Sequence, residues 1–154
     1  MGYIALIILL VGLDQFSKFE IIQNFMEGDT RPLIDNFLHI TYVRNRGMAF
    51  GLFQGKIDII SILTIIAIVG IIIYMIKSFK KLALIEKLGY SFILAGAIGN
   101  IIDRLSYGFV VDMIDFRGIW SYVFNLADVW INIGAFLIIV DQIIQSKKKI
   151  KEEK

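Results

Sequence analysis

Four long apolar runs, separated by shorter polar stretches, set the pattern of this chain. They cover residues 3–22, 57–76, 84–103 and 123–144. Each is about twenty residues long, which as a helix rising 1.5 Å per residue spans the roughly 30 Å hydrocarbon core of a bilayer. The first run lacks a basic leader and a small-residue cleavage site and is interrupted by Asp14, so it reads as a span and not as a removable signal segment. The second is almost wholly aliphatic and predicts scaffold and lipid contact. The third has its core at 88–102, where Ser91, Ala95 and Gly99 recur every four residues, a small-residue stripe that lets another helix approach closely.

The connections read differently from one another. Residues 23–56 are too many for a turn. Glu27, Gly28, Asp29 and Pro32 read as loop, and Leu38, Ile40 and Tyr42 alternate with His39 and Thr41 as in a strand, which makes His39 a surface residue of that strand. Arg44, Asn45, Arg46 and Gly47 read as a turn into a short apolar run at 48–53. Residues 104–122 read as a loop, bent at Gly108 and Gly118. The expected fold is an all-α polytopic membrane protein with four transmembrane helices, a small extracytoplasmic β-sheet and a short extracytoplasmic loop over the site.

Composition sharpens this picture. Apolar residues make up 57% of the chain, above the roughly 45–50% of soluble domains, and they collect in the four runs. There is no cysteine, which excludes disulfides, thiolate nucleophiles and zinc–thiolate sites, and His39 is the single histidine, which argues against a histidine-based metal site. A net charge of +2 excludes nucleic acid as an expected partner. Of sixteen basic residues, nine lie beside the 77–83 connection (Lys77, Lys80, Lys81, Lys87) or in the 145–154 tail (Lys147, Lys148, Lys149, Lys151, Lys154). The positive-inside rule makes those segments cytoplasmic, the N-terminus with them, and turns 23–56 and 104–122 outward.

This topology brings acids together. Asp14 and Lys18 are i,i+4 with the acid first, either a self-neutralising pair or a support beside a site. Asn100/Asp103 and Asn125/Asp128 are i,i+3 pairs on their helices. Asp128 lies about 6 Å past Phe124 along its span. Asp103 ends its span on the same outward side, Asp14 falls in the outer half of the first span, and Asp112 lies just beyond. Ionisable groups at membrane depth mark function. Two close carboxylates cannot both ionise cheaply, so one keeps its proton while the other activates water. A carboxylate-dyad hydrolase at the outward face fits best, and spacing alone does not say which two acids form the dyad. A proton-coupled carrier would spread acids across the bilayer, a Mg²⁺-dependent lipid enzyme would repeat them on one helix, and a purely structural subunit would leave them unexplained.

The motifs resemble those of the lipoprotein signal peptidase (signal peptidase II) family of bacterial membrane aspartic proteases. Asp14-Gln15-x-x-Lys18 resembles its first-span motif, and Arg44 to Gly51 (RNRGMAFG) resembles its RNxGAAFG. Gly96-Ala97-x-Gly99-Asn100-x-x-Asp103-Arg104, Gly108-x-Val110-Val111-Asp112 and Phe124-Asn125-x-Ala127-Asp128 follow in register. The resemblance implies that Asp112 and Asp128 are the catalytic dyad and that Asp14, Lys18, Asn45, Gly47, Asn100, Asp103, Arg104, Asn125 and Ala127 support the site. It implies cleavage before a diacylglyceryl-cysteine in prolipoproteins, in the bacterial cytoplasmic membrane, and inhibition by peptide antibiotics of the globomycin type; a monomer without metal or cofactor is expected. Three positions depart from the family pattern: Met48 replaces a small residue and is expected to narrow the substrate groove, Met113 stands where Phe is usual, and Phe116–Tyr122 (FRGIWSY) has no clear counterpart. Phe50, Phe109, Phe116 and Trp120 are expected to border the cleft.

Overall fold

The computed structural model describes residues 2–47 and 55–152. The element order is α1 (Gly2–Asn24), β1 (Thr30–Ile34), β2 (Leu38–Asn45), α2 (Ile57–Ser78), α3 (Leu84–Tyr107), β3 (Val110–Phe116) and α4 (Leu126–Glu152). A helix thus occupies each apolar run, and α2, α3 and α4 are long and apolar enough to cross a membrane. The apolar run at 48–53, with Met48 and Phe50, lies outside the described residues.

The helices wear much of their apolar surface outward. In α1 the buried positions are Leu10, Asp14, Lys18 and Ile21, while Ile8 and Phe16 are exposed. That is inverted for water and apt for lipid, where burying polar groups against protein is the favourable choice.

α3 is the central helix, packed against α1, α2 and α4. Ser91, Ala95 and Gly99 are all buried, yet the tightest approach to α4 is made by neighbouring glycines. A Cβ on Gly89 would lie 2.8 Å from Ile138 Cγ1, and one on Gly96 would overlap the carbonyl oxygen of Ala127 and come within 2.6 Å of Ile131 Cγ1. Because the obstacle at Gly96 is backbone, Gly96→Ala pushes the start of α4 away from α3. It is expected to destabilise the protein by about 3 kcal/mol, read as a lowered unfolding temperature in detergent. An unchanged temperature would mean that α4 shifts freely.

The three strands form one antiparallel sheet, ordered β1-β2-β3. Two segments read as loops are therefore strands. Thr30–Ile34 is a fully exposed edge strand, a position that tolerates Pro32. Val110–Phe116 pairs with β2, with Val43 opposite Asp112. The alternation read at 38–42 is also broken, because the register shifts between Ile40 and Val43. Tyr42, not Leu38 or Ile40, is the deeply buried apolar residue, joining Ile21, Val111 and Met113 in a core between the sheet and α1. His39 is buried at 8% exposure and not on the surface, with Nδ1 3.5 Å from Thr30 Oγ1. The opposite face of the sheet carries Val43, Asn45, Val110 and Asp112 into a cavity.

Candidate active site

The start of α4 is fixed by its own sequence. Asn125 precedes the first helical residue, outside the helix that the apolar run at 123–144 predicted to include it. Its Oδ1 accepts the Asp128 N–H at 2.9 Å, and the Asp128 carboxylate accepts the Asn125 N–H at 3.4 Å. This is a reciprocal capping box with Asp in the third helical position. Asp128 therefore sits among the unpaired N–H groups of a helix N-terminus, where negative charge is favoured.

Asn125 also reaches across to β3. Its Nδ2 donates to Asp112 Oδ1 at 2.6 Å and to Asn100 Oδ1 at 3.2 Å. Asn45 Nδ2 donates to the other Asp112 oxygen at 2.9 Å, and Asn100 Nδ2 donates to Asp128 Oδ1 at 2.8 Å. Asp112 and Asp128 are thus held by one shared frame of asparagines. Burial pushes the Asp112 carboxyl up from 3.8 to about 7, helped by the charge of Asp128 and opposed by the Asn45 and Asn125 hydrogen bonds and by Lys18.

Behind this frame lies a charged cluster with almost no solvent contact. Lys18 Nζ is 2.9 Å from Asp14 Oδ2, 3.1 Å from Asp103 Oδ2 and 3.1 Å from Asn100 Oδ1. The three charged side chains are 2%, 0% and 0% exposed for Lys18, Asp14 and Asp103. Each carboxylate also holds backbone. Asp14 Oδ1 accepts the Ala127 N–H at 2.8 Å, and Asp103 Oδ2 accepts the Val111 N–H at 3.0 Å. Ala127 and Val111 are the residues just before Asp128 and Asp112, so the cluster positions both acids through the main chain. Gly99 leaves the space for this, because a Cβ there would collide with the Asp14 carboxylate.

The eleven residues that the sequence marked as acids of the dyad or their supports are all in this neighbourhood. Gly47 donates its N–H to Asn45 Oδ1 at 2.9 Å, and its carbonyl accepts from Arg104 Nη2 at 3.3 Å. Arg104, Asn45, Asn100, Asp112 and Asp128 line one cavity of about 1200 Å³, room for a peptide segment. Phe116 and Trp120 border it as expected, whereas Phe109 does not and packs beneath the Arg44 guanidinium, 4.9 Å from the ring centroid. Among the described residues no three acid or histidine side chains are grouped to hold a metal ion.

Some participants were given no role by the sequence. Gln15 Nε2 donates to Gly99 O at 3.1 Å and Asp103 Oδ1 at 3.0 Å, a link visible only once α1 and α3 are side by side. Thr64 and Asn132 line the cavity from α2 and α4, and in the sequence they are single polar residues within apolar runs.

Residues 6–144 match the family model of signal peptidase II. The chain is 57% identical over 149 residues to a lipoprotein signal peptidase of Fusobacterium nucleatum, covering 97% of this chain and 90% of the relative. It is 46% identical over 150 residues to one of Clostridioides difficile, covering 97% of this chain and all of the relative (100%). A solved bacterial membrane enzyme superposes with a TM-score of 0.85 at 36% identity, over 96% of this chain and 91% of that one.

Proposed function

The chain belongs to the signal peptidase II family, which makes it a membrane-embedded protease of lipoprotein processing, and from that premise we propose that Asp112 and Asp128 are its catalytic pair. The observation that carries the proposal is the shared asparagine frame, which holds two carboxylates on one cavity wall with the Asp112 carboxyl raised to about 7. At neutral pH such a pair retains one proton. The ionised acid takes a proton from water as the oxygen attacks the scissile carbonyl carbon, and the protonated acid donates to the carbonyl oxygen. The tetrahedral intermediate then collapses: the C–N bond breaks, the first acid passes its proton to the leaving nitrogen, and a hydroxyl of the intermediate returns its proton to the second acid. Arg104 and Asn45, at the same cavity, are placed to bind peptide carbonyls.

The substrate in this reading is a prolipoprotein with a diacylglyceryl-cysteine, cut on the N-terminal side of that residue. A lipid-anchored peptide is confined to the membrane plane and meets a dyad at the mouth of the spans without leaving it. The reading includes four spans, α1 among them, with both termini cytoplasmic and the sheet and cavity outward. It is supported by the lipid-suited surface of α1 and by the lysines at the α2–α3 turn and the end of α4. The chain acts as a monomer, and peptide antibiotics of the globomycin type compete for the cavity.

The pH dependence of cleavage tests this. As pH rises through about 7, Asp112 loses its proton, the general acid is gone, and kcat/KM falls about tenfold per pH unit. Stability moves the same way. Asp112 holds its proton when folded at pH values where the unfolded chain has released it, so its contribution is full below 3.8 and is lost as pH approaches and passes about 7. A rate that is flat from pH 6 to pH 9 would contradict the dyad.

A further inference from the structure

Below the acids the cavity continues as a groove between α2 and α4. Both helices pack against α3, but they share no extended contact with one another. Ile60 and Thr64 line this part from α2, Ala97 from α3, and Asn132 and Ile133 from α4. Thr64 and Asn132 both face this groove. They are seven and six residues past the starts of two helices that both run antiparallel to α3, which is about 10 Å into the spans.

The hydrogen bonds of the two side chains are alike. Thr64 Oγ1 donates to the Ile60 carbonyl at 2.8 Å, and Asn132 Nδ2 donates to the Asp128 carbonyl at 2.8 Å. Each bond runs four residues back on its own helix. The threonine hydroxyl hydrogen is therefore used, and the asparagine Oδ1 is turned away from its helix. Two acceptor oxygens remain in an apolar groove, without a partner among the described residues.

A peptide bond can reach Asp112 and Asp128 only if its segment leaves the helical state. At membrane depth, main-chain N–H groups without acceptors are expensive. We propose that Thr64 and Asn132 accept hydrogen bonds from main-chain N–H groups of the unwound signal-peptide segment and hold it in register with the acids. The inference rests on the endopeptidase reading of this cavity. Asn132 is four residues deeper than Asp128, about 6 Å, and an extended chain covers about 3.3 Å per residue. The N–H group that meets Asn132 therefore belongs to the second or third residue before the scissile bond. Recognition of main chain asks nothing of the side chains, so one groove serves signal peptides of differing sequence. Thr64 and Asn132 are positioning residues, since they bind the segment and not the reacting atoms.

The test uses a synthetic diacylglyceryl lipopeptide and the same peptide N-methylated at the second or third residue before the bond. N-methylation is expected to lower wild-type kcat/KM about tenfold. The Thr64→Val/Asn132→Leu protein is expected to lose about tenfold on the unmodified peptide, chiefly through KM, and to be almost indifferent to N-methylation. Thr64→Val is nearly isosteric, so it carries the comparison if Asn132→Leu does not fold, and the wild-type measurement needs no variant. An N-methyl group that leaves wild type unaffected, or that penalises the double variant equally, overturns the inference. Binding of both peptides to wild type and to Asp112→Asn separates it from its premise. Discrimination without any cleavage by wild type keeps the groove and removes the endopeptidase reading, whereas equal binding of the two peptides removes the groove.

Discussion

Asp112→Asn and Asp128→Asn are each expected to lower turnover by about 10⁴-fold, the loss that follows when one half of an acid–base pair no longer exchanges a proton. The two variants remain folded, because opposing effects meet at each position. Asn45 and Asn125 both donate to Asp112, and Asn100 and the Asn125 N–H both donate to Asp128. An asparagine at either position presents one oxygen and one amide, so one of these donors loses its acceptor, at about 1–2 kcal/mol. Against that, a buried carboxylate is removed. The unfolding temperature in detergent therefore stays within a few degrees of wild type, and the loss of turnover is chemical. A variant that unfolds would mean that these acids are chiefly structural, and near-normal turnover would move the dyad elsewhere, with Asp103 the next candidate.

Lys18→Met has the largest expected effect on stability. It leaves Asp14 and Asp103 facing one another with no cation, both without solvent contact. Removing one partner of a buried ion pair costs about 3–5 kcal/mol, which for a chain of this size lowers the unfolding temperature by roughly 10 °C. Turnover falls as well, since the two carboxylates position Ala127 and Val111, the residues before Asp128 and Asp112. Removing one of the two facing negative charges relieves the repulsion. Lys18→Met/Asp103→Asn recovers part of the stability for the same reason. Stability of Lys18→Met within about 0.5 kcal/mol of wild type, the range of an ordinary surface change, would show that the cluster is not what holds the site.

The helices were legible because apolar runs of about twenty residues have few other uses. The sheet was legible only in part. Val110–Phe116 carries Asp112 and Asp115 among its apolar residues, and those acids with the flanking Gly108 and Gly118 read as a loop. The register shift between Ile40 and Val43 turned Tyr42 inward against α1, an outcome set by the pairing partner and not by the alternation. Lysine placement by itself implies a topology with the acids at one level, whereas only the family resemblance singles out Asp112 and Asp128. The bond from Asp14 to the Ala127 N–H, made across the space left by Gly99, depends on the meeting of three helices. The same is true of the shared frame of Asn45, Asn100 and Asn125.

The most direct test is cleavage of a diacylglyceryl-modified prolipoprotein by purified protein in detergent with a chelator present, the products being identified by mass. The account predicts a single cut just before the lipidated cysteine, at a rate the chelator does not change, and no product from Asp112→Asn or Asp128→Asn. Activity abolished by the chelator and restored by a divalent cation, or near-normal turnover by either variant, would contradict it.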